Sequence, residues 1–185
     1  YRNKLNLTHN IVVGHVGRIC KQKNQIRLIT IFNELRKIVP EVTLLIIGRD
    51  SLNGECESLV SKLGISDFVR FLGVRDDVDK LLNAMDMFIF PSLYEGLPFT
   101  LIEAECNGIP IVCSDTITKE ILINDNIKTV SLKAEDKVWV QQILQVYRMG
   151  RVTNGIDNMI SHGFDLNTEV KNLEDYYKKV IMENE

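Results

Sequence analysis

Two glutamates with seven residues between them, Glu95 and Glu103, fall in the segment Phe90-Pro91-Ser92-Leu93-Tyr94-Glu95-Gly96-Leu97-Pro98-Phe99-Thr100-Leu101-Ile102-Glu103. A carboxylate accepts hydrogen bonds from two vicinal hydroxyls, the arrangement that sugar and ribose diols offer. Pro98 sets the start of a helix, so Glu95 falls on a loop and Glu103 about one turn inside the helix. The pair can grip two parts of one ligand whose phosphates lie against the helix N-terminus between them. Leu101, Ile102, Ala104 and Cys106 around Glu103 are apolar, so Glu103 is expected to be partly buried and to need a partner. Spacing alone leaves a plainer reading open: Glu95 as an exposed loop charge and Glu103 as a first-turn residue favoured by the helix dipole.

A second cluster could supply the opposite charge. Gly17-Arg18-Ile19-Cys20-Lys21-Gln22-Lys23 follows an apolar run and leads into a helical pattern. A glycine at a strand end permits a tight turn, and Arg18 and Lys23 bring two cations to a helix N-terminus, where backbone N–H groups already favour an anion. A diphosphate fits such a place; two solvated charges on a helix end are the alternative. The segment is not a dinucleotide fingerprint, because Gly14-His15-Val16-Gly17 lacks the GxGxxG spacing, and no GxxxxGK[ST] loop occurs.

Other chemistry-bearing residues read as structural. Asp77-Val78-Asp79 imitates a metal-binding DxD, yet at a helix start it is expected to cap, with Asp76 or Asp77 at the N-terminus. His15 lies inside an apolar run and is expected to be a satisfied core histidine; His9 and His162 read as loop residues. No serine sits in a G-x-S-x-G elbow. Trp139 and Tyr147, at helical spacing, are expected to pack. Cys20, Cys56, Cys106 and Cys113 form no CxxC pair, so they are expected to be reduced, buried thiols rather than a zinc site or disulfide framework.

Positioning these groups requires a scaffold, and the apolar rhythm supplies one. Short apolar runs at Ile11–Val16, Thr43–Ile47, Val69–Leu72, Met87–Phe90, Ile109–Cys113 and Lys128–Leu132 alternate with amphipathic stretches at Asn24–Ile38, Glu55–Lys62, Val78–Ala84 and Leu101–Asn107. Continuous apolar runs between helices predict a doubly wound, Rossmann-like parallel sheet of about six strands, with any ligand at the carboxyl ends of the strands. Gly64 and Gly108 are placed to close helices in the left-handed conformation, and Pro110 forbids continuation past the fourth. An α/β core over 10–134 and a helical C-terminal tail over 135–185 are expected, the tail with helices at Glu135–Met149, Thr153–Ser161 and Leu166–Met182.

The 185 residues suffice for one domain with its own core. With 45% hydrophobic and 25% charged residues the composition is that of a globular protein. A net charge of −3 argues against broad binding to nucleic acid or an anionic membrane, so any basic residue that matters acts locally. No run approaches the ~18 apolar residues of a membrane span, and no basic-then-apolar leader precedes the first strand, so a soluble, cytoplasmic protein is expected. The start at Tyr1 instead of Met is read as a cut from a longer chain.

Taken in order, Val16-Gly17-Arg18-x4-Lys23, Leu45-Ile46-Ile47-Gly48, Phe71-Leu72-Gly73, Asp86-x-Phe88-Ile89-Phe90-Pro91-Ser92-x-x-Glu95-Gly96-x-Pro98, Glu103-Ala104 and Gly108-x-Pro110 resemble the C-terminal domain of family-four retaining glycosyltransferases of GT-B architecture. The resemblance runs from about residue 11 to 125 and is greatest to bacterial enzymes that build exopolysaccharide or capsule, with Ser114 to Glu120, Trp139 and Gly163-Phe164-Asp165 as weaker supports.

The resemblance implies one half of a GT-B fold, with a nucleotide-sugar donor site, a UDP-sugar as donor, and neither a cofactor nor a metal. Arg18 and Lys23 would hold the diphosphate, Glu95 the donor-sugar hydroxyls and Glu103 the ribose diol. Gly17, Gly96, Leu97, Pro98, Phe99, Thr100 and Leu101 would complete the phosphate and sugar contacts, and the turn carrying Arg75 would face the base. The polysaccharide or lipid-linked acceptor would be held by an N-terminal domain outside these 185 residues, with the full-length enzyme at the inner face of the membrane. Two departures stand out: Thr116-Ile117-Thr118 replaces a Gly-Gly before Glu120, leaving that glutamate without an assigned role, and Asn24 replaces a commoner glycine. A non-catalytic nucleotide-binding module and a GT-B nucleotide-sugar epimerase are the alternatives.

Overall fold

The computed structural model describes residues 1–7 and 10–183; His9 lies outside the described residues. Six strands, β1 (Ile11–Val16), β2 (Val42–Ile47), β3 (Val69–Gly73), β4 (Met87–Phe90), β5 (Ile111–Ser114) and β6 (Ile127–Val130), pair in the order β3-β2-β1-β4-β5-β6. Every pairing is parallel. This is the expected Rossmann-like sheet. Every residue of β2, β4 and β5 is buried, which is why they read as nearly continuous apolar runs, broken only at Thr43 and Ser114, instead of alternating ones.

Helices cover both faces. On one side α1 (Gln25–Arg36), α2 (Glu55–Lys62) and α5 (Asp136–Met149) close a core containing Leu28, Phe32, Cys56, Val60, Trp139 and Ile143. On the other, α3 (Val78–Ala84) and α4 (Phe99–Cys106) pack Leu81, Leu82, Leu101 and Ala104 against Val12, Leu45, Phe88 and Ile111. The helix α5 is thus a structural part of the sheet domain, with Trp139 fully buried and its indole N–H donating to the Ser131 carbonyl at 3.3 Å. Tyr147, at the other end of α5, is 39% exposed and does not pack as expected. Two further helices, α6 (Gly155–Ser161) and α7 (Leu166–Met182), follow. Among the described residues no helix is long and apolar enough to cross a membrane.

Several boundaries move for physical reasons. The helix α4 begins at Phe99, directly after Pro98, instead of Leu101. Strand β5 starts two residues later than expected because the Ile109 N–H is taken by the Ala104 carbonyl at the end of α4, at 3.3 Å, and Pro110 has no N–H to offer. Gly64 and Gly108 do take positive φ after their helices.

Strand order reverses between β1 and β4, the place where an open α/β sheet forms its ligand crevice. On the β2 side the crevice wall approaches the β1 loop so closely that only glycine fits: at Gly48 (φ +144°) a Cβ would lie 2.1 Å from the Gly17 carbonyl oxygen. Gly48→Ala is therefore expected to destabilise the domain by about 2–4 kcal/mol in urea unfolding, whereas Gly54→Ala, at positive φ but in open space, should cost about 1 kcal/mol. Equal losses would contradict the steric account.

Candidate functional site

The β1 loop is held from below by two buried polar side chains. Gln25, at the first position of α1, has no exposed surface. Its Oε1 accepts from Cys20 N–H at 3.1 Å, and its Nε2 donates to the Arg18 carbonyl and to His15 Nε2, each at 3.0 Å. Because an amide nitrogen only donates, His15 Nε2 must accept; its proton then sits on Nδ1 and is donated to the Ile89 carbonyl of β4 at 2.9 Å. His15 is fully buried, and burial, with a smaller repulsion from Lys23, pushes its pKa down to about 4. It is the satisfied core histidine expected, and it links β1 to β4 directly under the crevice.

A second set of bonds stitches the β1 loop to the β4 loop. Residues 21–23 form a turn of 3-10 helix closed by Asn24 in the left-handed conformation, φ 57°, which accounts for an asparagine where glycine is commoner. The Asn24 amide donates to the Pro91 carbonyl at 3.1 Å, Leu93 N–H to the Gln22 carbonyl at 2.8 Å, and the Gln22 amide to the Tyr94 carbonyl at 3.0 Å. From the β5 side, Ser114 Oγ and Thr116 Oγ1 both donate to the Ser92 carbonyl, at 2.6 and 3.0 Å.

These constraints bring Lys23 Nζ to 2.8 Å from Glu95 Oε1, with only 15% and 7% of the two side chains exposed. The Lys23 ammonium also lies 4.7 Å from the centre of the Phe90 ring, and its stem runs over Gly17, where a Cβ would come within 3.3 Å of Lys23 Cε. Arg18 is exposed on the same loop with no ion pair among the described residues. Beside it, a cavity of about 300 Å³ is lined by Gly17, Arg18, Gly48, Arg49, Val74, Arg75 and Val78, among others. Arg75 is turned away from free use: its guanidinium bonds Asp77 at 2.7 and 2.8 Å and approaches Tyr1, holding the Asp77 carboxyl well below the usual carboxylate range. Asp77 occupies the N-cap position of α3, but its side chain makes no cap hydrogen bond, contrary to expectation, because Arg75 and Tyr1 take it.

The start of α4 is bare. Pro98 cannot cap, and no acidic residue stands in the first turn, so the positive end of the helix faces the Glu95 loop unopposed. Thr100 Oγ1 and Ser92 Oγ are buried without a hydrogen-bond partner among the described residues. Gly96, Leu97 and Phe99 are exposed.

Glu103 departs from its expectation: it is exposed, on the wall of a cavity of about 770 Å³ between α3, α4 and α6, and has no ion pair among the described residues. Partial desolvation nonetheless raises its pKa. Val78 lines both this cavity and the smaller one. The buried acid of α4 is instead Glu105, with no exposed surface, accepting from Ile123 and Asn124 N–H at 2.9 and 3.0 Å. Burial raises it to about 7 against the pull of those two N–H groups. Of the cysteines, Cys56 and Cys113 are buried and pushed up to about 12, while Cys20 and Cys106 are half-buried, so the expectation of four buried thiols holds for two. Glu120 is exposed on a short 3-10 turn, and His162 follows α6 with Nδ1 2.7 Å from the Asn158 carbonyl.

Strand order and switch-point crevice define a Rossmann-like α/β domain. The profile described as "Glycosyl transferases group 1" matches residues 1–158, and the chain belongs to that family, as the motifs led one to expect. "Putative glycosyltransferase EpsF" of Bacillus subtilis (strain 168) is 32% identical over 142 residues, covering 76% of this chain and 37% of that protein. "UDP-Gal:alpha-D-GlcNAc-diphosphoundecaprenol alpha-1,3-galactosyltransferase" of Escherichia coli is 23% identical over 185 residues, covering 94% and 47%. The solved structure of Anabaena Alr3699/HepE in complex with UDP and glucose has a TM-score of 0.74 at 22% identity, covering 96% of this chain and 51% of that one. The chain thus spans less than half the length of these two curated relatives.

Two of the buried titrating groups, His15 and Glu105, push stability in opposite directions. His15 titrates lower in the fold than its ordinary 6.5, so the unfolded chain takes the extra proton and stability rises as pH climbs from about 4 to 6.5. Glu105 titrates higher than its ordinary 4.5, so the fold holds the extra proton and stability falls as pH climbs from 4.5 to about 7. Relative to wild type, Glu105→Gln should therefore gain stability with rising pH over the second window, and His15→Gln should lose it over the first, by up to roughly 1 kcal/mol per pH unit. Urea unfolding at half-unit pH steps measures both; a pH-independent difference for either variant contradicts the assigned burial.

Proposed function

We propose that this chain is the donor-binding part of a retaining glycosyltransferase that moves a sugar from a nucleotide diphosphate sugar to a growing polysaccharide or lipid-linked acceptor. The observation that carries this reading is the convergence of a lysine, a shielded carboxylate and an uncapped helix start at the strand-order switch, 2.8 Å separating Lys23 from Glu95. A polyanionic ligand with a hydroxyl-rich end matches that set of groups.

In this reading Lys23 and Arg18 hold the diphosphate, with the N–H groups at the start of α4 as further donors. Gly17 admits the phosphate chain close to the backbone, and Gly96 to Leu101 flank the sugar. Glu95 accepts from sugar hydroxyls. Glu103 takes the ribose diol from the wall of the larger cavity, its exposure leaving it open to a ligand, and the base lies against Gly73-Val74-Arg75 beside the smaller one.

Departure of the nucleoside diphosphate leaves extra negative charge on the phosphate as the sugar becomes oxocarbenium-like, and placed cations lower that barrier. The acceptor attacks from the face the phosphate leaves, with the leaving phosphate assisting, so neither glutamate need become a covalent nucleophile; their work is orientation. No metal is required for this assignment, since the cations are side chains. A UDP-sugar is the donor we favour, supported by the UDP named for the Anabaena structure and the UDP-Gal named for the E. coli relative. The acceptor would be held by a further, N-terminal domain, in keeping with the fraction of EpsF that is matched, and the whole enzyme would work in the cytoplasm at the inner face of the membrane.

Calorimetric titration of the 185-residue chain with UDP and UDP-sugars should give weak binding, lost or reduced at least tenfold in Lys23→Ala and Glu103→Ala, and no sugar transfer. Binding untouched by both substitutions would refute the site. In a full-length enzyme carrying this domain, Arg18→Ala or Lys23→Ala should each slow transfer by roughly 10²-fold.

A further inference from the structure

The Lys23–Glu95 pair also creates an asymmetry between ligands. Glu95 is nearly shielded from water, with 7% of its side chain exposed, and its one close partner among the described residues is the Lys23 ammonium at 2.8 Å; the Gln22 amide stands 3.4 Å from the other oxygen. Lys23 is itself 15% exposed and backed by the Phe90 ring. Any phosphate that recruits this ammonium must share it with a carboxylate that has few other donors and little water to screen it.

From this geometry, and resting on the donor-site reading above, we infer that Glu95 makes the site select the intact nucleotide sugar over the bare nucleoside diphosphate. A free diphosphate presents its terminal phosphate, with its additional negative charge and, above its second pKa of about 6, no hydrogen to donate, beside Glu95; the two anions then compete for the Lys23 ammonium. In the sugar donor that phosphate is esterified, carries less charge and is covered by hydroxyls, which donate to Glu95 and replace what Lys23 gives up. One carboxylate thus attracts the substrate and repels the product that chemistry leaves behind. Discrimination by an anion left unsatisfied against the wrong ligand is a general route to specificity.

The test is calorimetry on the 185-residue chain, wild type, Glu95→Gln and Arg18→Ala, with UDP against UDP-glucose and GDP against GDP-mannose. In whichever pair wild type binds, Glu95→Gln should tighten the free diphosphate by about 5- to 10-fold and weaken the sugar nucleotide by about tenfold. Arg18→Ala should weaken both. A merely structural role for Glu95 would weaken both ligands together, so the opposite signs carry the inference. If wild type binds the diphosphate and Glu95→Gln leaves that affinity unchanged or weaker, the inference falls while the donor site stands. If wild type binds none of the four ligands, the donor-site reading itself fails.

Discussion

A neutral imidazole under the crevice ties the two halves of the sheet together, and the geometry of everything above depends on it. His15 gives its only proton to β4 through Ile89 and takes one from Gln25, whose remaining two bonds clamp the Arg18 carbonyl and the Cys20 N–H. Adding a second proton to the ring would set two donors face to face at His15 Nε2 and Gln25 Nε2. The loop that carries both cations is therefore held by a network whose donor and acceptor sense is fixed throughout, and such fully satisfied networks rigidify what they support.

Charge is used sparingly around this support. The chain carries a net −3, yet at the crevice the cations are placed, not accumulated: Lys23 is half-buried against Phe90 and Glu95, and Arg18 is left open to solvent. Arg75, which also borders the crevice, is neutralised by Asp77, leaving its backbone as the feature it contributes there. The absence of an acid in the first turn of α4 fits the same pattern, since an acid there would spend the helix dipole internally.

The sheet was legible because burial on both faces forces near-continuous apolar runs: β4 is wholly apolar, β2 is so but for Thr43, and β1 is so but for Gly14 and His15. The loops bearing Arg18, Lys23 and Glu95 could be placed for the same reason: they follow those runs. What escaped depends on partners distant in sequence. Nothing near Gln25 signals that its amide will meet His15, and nothing near Asp77 signals Arg75 and Tyr1 as competitors for its carboxylate. The apolar neighbours of Glu103 suggested burial, but one residue pair on, it is Glu105 that faces inward, toward N–H groups of Ile123 and Asn124. A helical count would have put Leu101 and Glu105, four apart, on the same inner face, which was the available signal. Asn24 departs from the commoner glycine, and its left-handed backbone gives the reason.

The bonds that stitch the crevice join residues 67 to 73 positions apart in the chain. Such contacts carry a large loop-closure cost and form only when the strands between them have found their places. No segment that lacks either the β1 or the β4 loop, and no intermediate lacking the β1–β4 pairing, contains the crevice. On the donor-site reading proposed above, a chain emerging from the ribosome would consequently bind no nucleotide there until β4 and its loop had paired with β1, and a bound nucleotide would report that the crevice is built, protecting the native population from proteolysis without templating its formation.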